Sequence, residues 1–209
     1  MIELPLPTYL KEYEREILDT IEPSKDIDGL TTKSIELLNE GKDTLIPCSA
    51  LGIETLLKAH NIDLSTKKIA IINRSNIVGK PLYQIMLKNN SNPILCHSQT
   101  TNLKEVTKEC DIVIAALNKP EYITKEYLKE NSVVIDVGVH KDTKNKIIGD
   151  INYLDVYDKV ALITPPINAV GPMTICMLAY NTAKCIFKEE INLLLKEVIK
   201  KYKIDIERR

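Results

Sequence analysis

The stretch KKIAIINRSNIVGKPLYQIML, Lys67–Leu87, decides the fold. Its first half is a β-branched run of strand length, and from Pro81 its second half carries apolar residues at helical spacing. Between them lies a loop with a single glycine, Gly79. A strand that passes into a helix through such a loop is the opening unit of an open parallel sheet that binds dinucleotides. Arg74 stands where a glycine-rich loop would place another glycine. Pro81 is expected to open the helix, and free N–H groups at that helix terminus are expected to favour an anion.

The pattern repeats downstream. NPILCH, DIVIAAL, SVVIDVGV and ALITP are short apolar runs bounded by turn residues and separated by helix-length segments. Runs of this kind read as parallel strands buried on both faces, which makes the fold class α/β with a Rossmann-like doubly wound parallel sheet. NKIIGDI (145–151) is a weaker strand, an edge hairpin or arm. A long helix is expected from near Pro172 through about Lys201, its second half, INLLLKEVIKKYKI, turning a lysine-rich face to solvent.

The first sixty residues differ. YLKEYEREILDTI reads as a helix, EPSKDIDGL as a turn, and a second helix is expected over Ser49–His60. These elements are too few to enclose a core of their own. Residues 1–60 therefore read as the remnant of an incomplete α/β domain, 61–171 as the Rossmann domain, and 172–209 as a C-terminal helix packing back on the N-terminal part. Ile17, Leu18 and Ile21 are expected to stand exposed for want of a sheet to cover.

Composition narrows the functional classes. The 209 residues are 44% hydrophobic and 27% charged, a globular balance, and the net charge of −1 supplies no basic field for nucleic acid. No apolar run reaches the roughly 20 residues that span a bilayer, and no signal-like leader opens the chain. The reading is a soluble, cytoplasmic protein with neither nucleic acid nor membrane as partner. Five scattered cysteines without a C-x-x-C pair argue for reduced thiols and against a zinc site, so no metal is expected. His97 reads as a packed or capping histidine, since no partner ligands stand at useful spacing.

The loops carry the cofactor chemistry. In NAD-preferring sheets the second strand ends in Asp or Glu, which accepts from the ribose 2′-hydroxyl. Here that strand runs into CHSQTT, without a carboxylate. A hydroxyl at Ser98 and the forked donors of Arg74 suit a 2′-phosphate, so the indicated cofactor is NADP. The competing reading is an ordinary βα turn with a surface arginine, because one glycine is a weak motif.

PLP…PSKDIDGL, IPCSALGIETLL, NRSNIVGKP, CHSQTTNL and ITPPINAVGPMTICMLAYNT occur in the order seen in the bifunctional methylenetetrahydrofolate dehydrogenase/cyclohydrolase family, which the chain resembles over nearly its whole length. The resemblance implies two α/β domains flanking a cleft and a homodimer. It also implies NADP-dependent oxidation of 5,10-methylenetetrahydrofolate and hydrolysis of the methenyl product to 10-formyltetrahydrofolate. By position, Asn73, Arg74, Ser75, Ser98 and Val139 match the family's cofactor contacts. Asp28 matches the aspartate that holds the pterin ring, and Gly171–Pro172 match the loop flanking the folate.

The departures carry expectations too. The family's catalytic lysine lies in a Tyr-x-x-x-Lys motif upstream of the segment at which this chain opens, so it is expected to be missing here. Glu3 stands where the family has a glutamine that tunes this lysine, and a carboxylate there would hold the lysine charged. Glu3 and Asp28 are thus the candidates on the catalytic side. Asn73, Asn118 and the pair Asn168–Ala169 replace family glycines. Asparagine tolerates positive φ, whereas alanine does not, so Ala169 is expected to distort its loop. Two further classes stand beside the enzyme. One is a catalytically inactive NADP-binding or interaction protein derived from that family, and the other is an unrelated dehydrogenase on the same sheet.

Overall fold

The computed structural model describes residues 1, 2 and 4–187, together with the backbone of 207–208. Strands β1 (Lys68–Ile72), β2 (Asn92–Cys96), β3 (Ile112–Ala115) and β4 (Val133–Asp136) are followed by a small antiparallel hairpin, β5 (His140–Lys141) and β6 (Ile147–Ile148), and then by β7 (Leu162–Ile163). The main sheet runs β2-β1-β3-β4-β7, all parallel, with β8 (Glu207–Arg208) antiparallel beside β7. Chain order reverses at β1, because β2 lies on one side of it and β3 on the other. That reversal opens a crevice at the carboxyl ends of the strands, the usual ligand position in such sheets.

Strand alternation builds two cores. Ile69 and Ile71 of β1, Ile112 and Ile114 of β3, and Ile135 of β4 point to one face; Ala70, Ile72, Val113, Ala115 and Val134 point to the other. The first face is covered by α3 (Cys48–Ala59), α4 (Gly79–Lys88) and α7 (Val170–Phe187). In α3 the residues Ile53, Leu56 and Leu57, at helical spacing, are completely buried. The second face is covered around α5 (Leu103–Lys108), α6 (Tyr153–Val156) and the turns between them. The strand runs are therefore apolar throughout because both faces are covered. Edge strand β2 is the exception: Asn92 and Ile94 are exposed, against the expectation of burial on both sides, because one flank has no neighbouring strand.

The N-terminal region is less regular than its pattern predicts. A 3-10 segment, Thr8–Tyr13, leads into a short α1 (Glu14–Leu18) in place of one continuous helix. Leu18 is buried and Ile17 and Ile21 are half-buried, which corrects the expectation that all three stand exposed. The helix α2 (Thr32–Asn39), not singled out from sequence, begins at Thr31, whose hydroxyl accepts from Ser34 N at 3.2 Å. The carboxylate of Asp26 accepts from Leu30 N and Thr31 N and so fixes the entry to that helix.

α7 lies along α3 and is tied to the segment before it. The side chain of Asn181, buried on α7, donates to Ile27 O (2.7 Å) and Ile46 O (2.9 Å), and Ser49 and Thr174 share a hydroxyl hydrogen bond of 3.2 Å. INLLLKEVIKKYKI, expected to continue this helix, lies outside the described residues. No helix among the described residues is long and apolar enough to cross a membrane.

Candidate functional site

At the carboxyl ends of β1, β2 and β3 lies a cleft of about 550 Å³, lined among others by Asn73, Arg74, Ser98, Leu117 and Lys119. The loop after β1 forms one wall and is organised by a side chain. The Oδ1 atom of Asn73 accepts from Ser75 N (2.7 Å) and Gly79 N (3.2 Å), while its Nδ2 donates to Ala116 O (2.7 Å). Ser75 receives Val78 N on its hydroxyl and Lys80 N on its carbonyl. A Cβ on Gly79 would stand 2.2 Å from Asn73 O, so the loop closes on a residue that must lack one.

This arrangement corrects two expectations. The helix opens at Gly79 rather than Pro81, and its first amide groups are already occupied. Gly79 N is bonded to Asn73, Lys80 N to Ser75 and Leu82 N to Val78, while Pro81 carries no N–H. The helix terminus therefore presents no row of free donors to an anion. The exposed guanidinium of Arg74 makes no hydrogen bond or ion pair among the described residues, so its donors stand open on the cleft's lining. Asn73 has its side-chain amide committed to Ala116 O, Ser75 N and Gly79 N.

Across the cleft, Ser98 follows β2 in an exposed turn. His97 holds that turn: its Nδ1 accepts from Gln99 N (3.2 Å), its N–H donates to Thr100 Oγ1 (3.0 Å), and its carbonyl accepts from Thr100 N. It is a capping histidine, as its isolation in the sequence indicates. The third wall was not legible beforehand. The Lys119 ammonium stands 4.7 Å from the Tyr122 ring centre and that of Lys104 5.2 Å from the Tyr127 ring centre, with the two rings 5.8 Å apart. Lys104 is paired with Glu126, which holds its ammonium above the usual lysine range. Glu105, exposed in the first turn of α5, is the carboxylate on this lining. These residues follow strand ends by several positions, and that placement was the available signal.

The remaining expected residues lie elsewhere. Ser75 and Val139 are outside the cleft's lining, Val139 being exposed on the turn after β4. Asp28 is half-buried at the amino end of α3; burial pushes its carboxyl up from the ordinary range, and Asp26 adds to the rise. Close by, burial and the neighbouring Asp28 push the Cys48 thiol up to about 11. Gly171 and Pro172 are exposed in the first turn of α7, one turn from the Ser49–Thr174 contact, so they and Asp28 flank the same end of the α3–α7 pair. Glu3 lies outside the described residues.

Asn118 and Asn168 behave as expected, whereas Asn73, which is not among the positive-φ residues, and the alanine do not. Asn118 (φ +59°) and Asn168 (φ +63°) occupy the left-handed region that glycine would favour. Ala169 is not among the positive-φ residues and is buried at the start of α7, where its carbonyl accepts from Met173 N. The loop therefore accommodates it without distortion.

A parallel sheet whose reversal point opens on an unpaired arginine, a hydroxyl and an aromatic wall with lysines defines a dinucleotide-binding domain. Residues 47–190 match the family model for the NAD(P)-binding domain of tetrahydrofolate dehydrogenase/cyclohydrolase, and the chain belongs to that family. It is 45% identical over 181 residues to "Bifunctional protein FolD" of Lachnoclostridium phytofermentans, covering 87% of this chain and 64% of that protein. The bifunctional FolD methylenetetrahydrofolate dehydrogenase/cyclohydrolase of Campylobacter jejuni superposes with a TM-score of 0.84 at 38% identity, covering 88% of this chain and 64% of the other. The FolD enzyme of Trypanosoma brucei, solved with NADP cofactor and inhibitor, superposes at 0.81 with 25% identity over 95% of this chain and 66% of the other. The chain thus spans about 64% of the length of the curated relative it matches.

Proposed function

We propose that this chain serves NADP-dependent oxidation of 5,10-methylenetetrahydrofolate to the methenyl form, with hydrolysis of that product to 10-formyltetrahydrofolate. The single observation that supports it most is the match of residues 47–190 to the family's NAD(P)-binding domain, with Arg74 and Ser98 both on the lining of the cleft. NADP accepts a hydride in this chemistry, and the work left to the chain is alignment and exclusion of water. Arg74 and Ser98 read the 2′-phosphate, Asn73 and Ser75 brace Arg74, and Val139 meets the nicotinamide half. Asp28, Gly171 and Pro172 hold the folate, and Glu3 bears on the proton-transfer step. In this division residues 1–60 and 172–209 frame the folate side and 61–171 the cofactor side.

Hydrolysis asks more of the protein than hydride transfer, because water must attack and protons must be moved. It is the weaker of the two activities in this chain. The working form is a homodimer in the cytoplasm, for which sedimentation and fractionation are the direct checks.

Titration of NADP and NAD against the wild type and Arg74→Ala tests the cofactor reading. An exposed guanidinium on phosphate sits at the low end of the roughly 1.5–3 kcal/mol of a charge-assisted hydrogen bond, about tenfold in affinity. NADP should bind more tightly than NAD, and the variant should lose that margin. Equal affinities in the wild type refute the reading. Asp28→Asn should lower folate turnover while leaving NADP affinity unchanged.

A further inference from the structure

Beneath the cleft lies a buried polar pair that the cofactor chemistry does not itself require. Asp150 is completely buried. Its Oδ2 accepts from Leu117 N (2.7 Å) and Asn118 N (3.2 Å), and its Oδ1 from Lys119 N (2.7 Å) and His140 Nε2 (2.8 Å). Leu117–Lys119 is the stretch after β3 that forms a cleft wall, and with Asn118 in the left-handed region its three N–H groups converge on one carboxylate. Such a turn has no strand or helix partner for those donors, so its shape depends on the acceptor beneath it.

The other end of the pair belongs to a different wall. His140 opens the β5–β6 hairpin one residue after Val139, which is 68% exposed on the turn that leaves β4. Each strand of this hairpin is two residues long, too short to hold its own angle. Its seat is supplied from below, where the Asp136 carboxylate at the end of β4 accepts from Gly138, Asp150 and Ile151 N at 2.9–3.0 Å. The fit there is close: a Cβ on Gly138 would lie 2.4 Å from Asp150 Cγ, and one on Gly149 would lie 1.8 Å from Asp136 Oδ2. A shift at either carboxylate is therefore passed directly to the backbone beside it.

We propose that His140 and Asp150 are a positioning pair that holds the Leu117–Lys119 wall and the Val139 turn in register around the nicotinamide half of the dinucleotide. The proposal rests on the NADP reading. Strand order assigns the halves: Ser98 follows edge strand β2, on the adenosine side, whereas Val139 follows β4, two strands beyond β1 on the opposite side. A ligand that occupies only the adenosine side does not reach the element His140 controls.

The experiment compares NADP with adenosine 2′,5′-bisphosphate, which carries the adenosine and its 2′-phosphate but no nicotinamide. Wild type, His140→Ala and His140→Gln are titrated with both by calorimetry, and bound NADPH is followed by its nicotinamide fluorescence. His140→Ala should weaken NADP about tenfold and shift the NADPH emission toward that of free cofactor, while the bisphosphate stays within about twofold. Glutamine, which can still donate one hydrogen bond to Asp150, should restore most of the NADP affinity. Equal weakening of both ligands, or alanine and glutamine behaving alike, overturns the positioning role in favour of general stability. An NADP affinity in His140→Ala equal to that of the wild type also overturns it. A wild type that binds neither ligand removes the cofactor reading itself, and the pair's role with it.

Discussion

Replacing Gly79 with alanine tests whether the cofactor loop is shaped by close backbone approach. The added Cβ would stand 2.2 Å from Asn73 O, 2.5 Å from Asn73 C and 2.8 Å from Arg74 N, where ordinary contact begins at 3.4 Å. All three are main-chain atoms, so no side chain can swing aside, and the loop must move by about 1 Å. That movement strains the Gly79 N–Asn73 Oδ1 bond (3.2 Å) and the Asn73–Ala116 bond (2.7 Å) that ties the loop to β3. Overpacking of about 1–3 kcal/mol and a lost hydrogen bond of about 1 kcal/mol together give roughly 2–4 kcal/mol. For a chain of this length the melting temperature should fall by about 5–15 °C. Arg74 moves with the loop, so NADP affinity should fall as well, even at temperatures where the variant is folded. The control is Gly41→Ala, at φ +69° with nothing within 4 Å of the new methyl group. It carries the left-handed backbone cost of about 1–2 kcal/mol and no steric term. Thermal unfolding and NADP titration of the two variants separate the effects. If Gly79→Ala melts with Gly41→Ala and binds NADP like the wild type, the close-approach reasoning fails.

Three further outcomes are expected. Burial pushes the Asp136 carboxyl up to about 6, against an unfolded value of about 3.9. Because its folded value is raised, its stabilising share is complete below about pH 4 and lost as pH rises through about 6, a change of about 3 kcal/mol. The wild-type minus Asp136→Asn stability difference, measured by urea unfolding across that window, should decline with pH; a flat or rising difference contradicts it. Asn181→Leu removes both hydrogen bonds, leaving Ile46 O without its amide donor and Ile27 O with only the Cys48 thiol at 3.5 Å, for a cost of about 1–3 kcal/mol; a melting point equal to wild type would show that water replaces the amide. With a chromogenic disulfide reagent at about pH 8, exposed Cys176 should react first, while buried Cys48, Cys96 and Cys110, whose thiols burial pushes up, wait for unfolding. Immediate reaction of three or more thiols in native buffer would contradict the described packing.

What the sequence determined by itself was periodic or local. The β-branched runs from Lys68 to Ile163 imply buried parallel strands, because only a sheet covered on both faces can take continuous apolar residues. The positions of Arg74 and Ser98 relative to strand ends were legible for the same reason, since the ends of strands in such a sheet converge on one crevice. His97 could be read as a cap from its isolation, and Asn118 and Asn168 as glycine substitutes from their tolerance of positive φ. Only the tertiary structure decided what depends on contacts between segments distant in the chain. It showed that the Asn73 side chain, bridging to Ala116 43 positions away, occupies the amides that a bare loop would offer an anion. It brought Lys119 and Tyr122 to a wall of the cleft whose other walls come from β1 and β2. It set Asp150 under a turn more than thirty positions earlier in the chain and joined it to His140. It also left Ala169 at negative φ, because the reversal needed before α7 is completed one residue sooner, at Asn168. Hydrophobic period and strand-end position are written in neighbouring residues, whereas a carboxylate's hydrogen-bond partners and a glycine's missing room are set by whichever backbone the fold brings alongside.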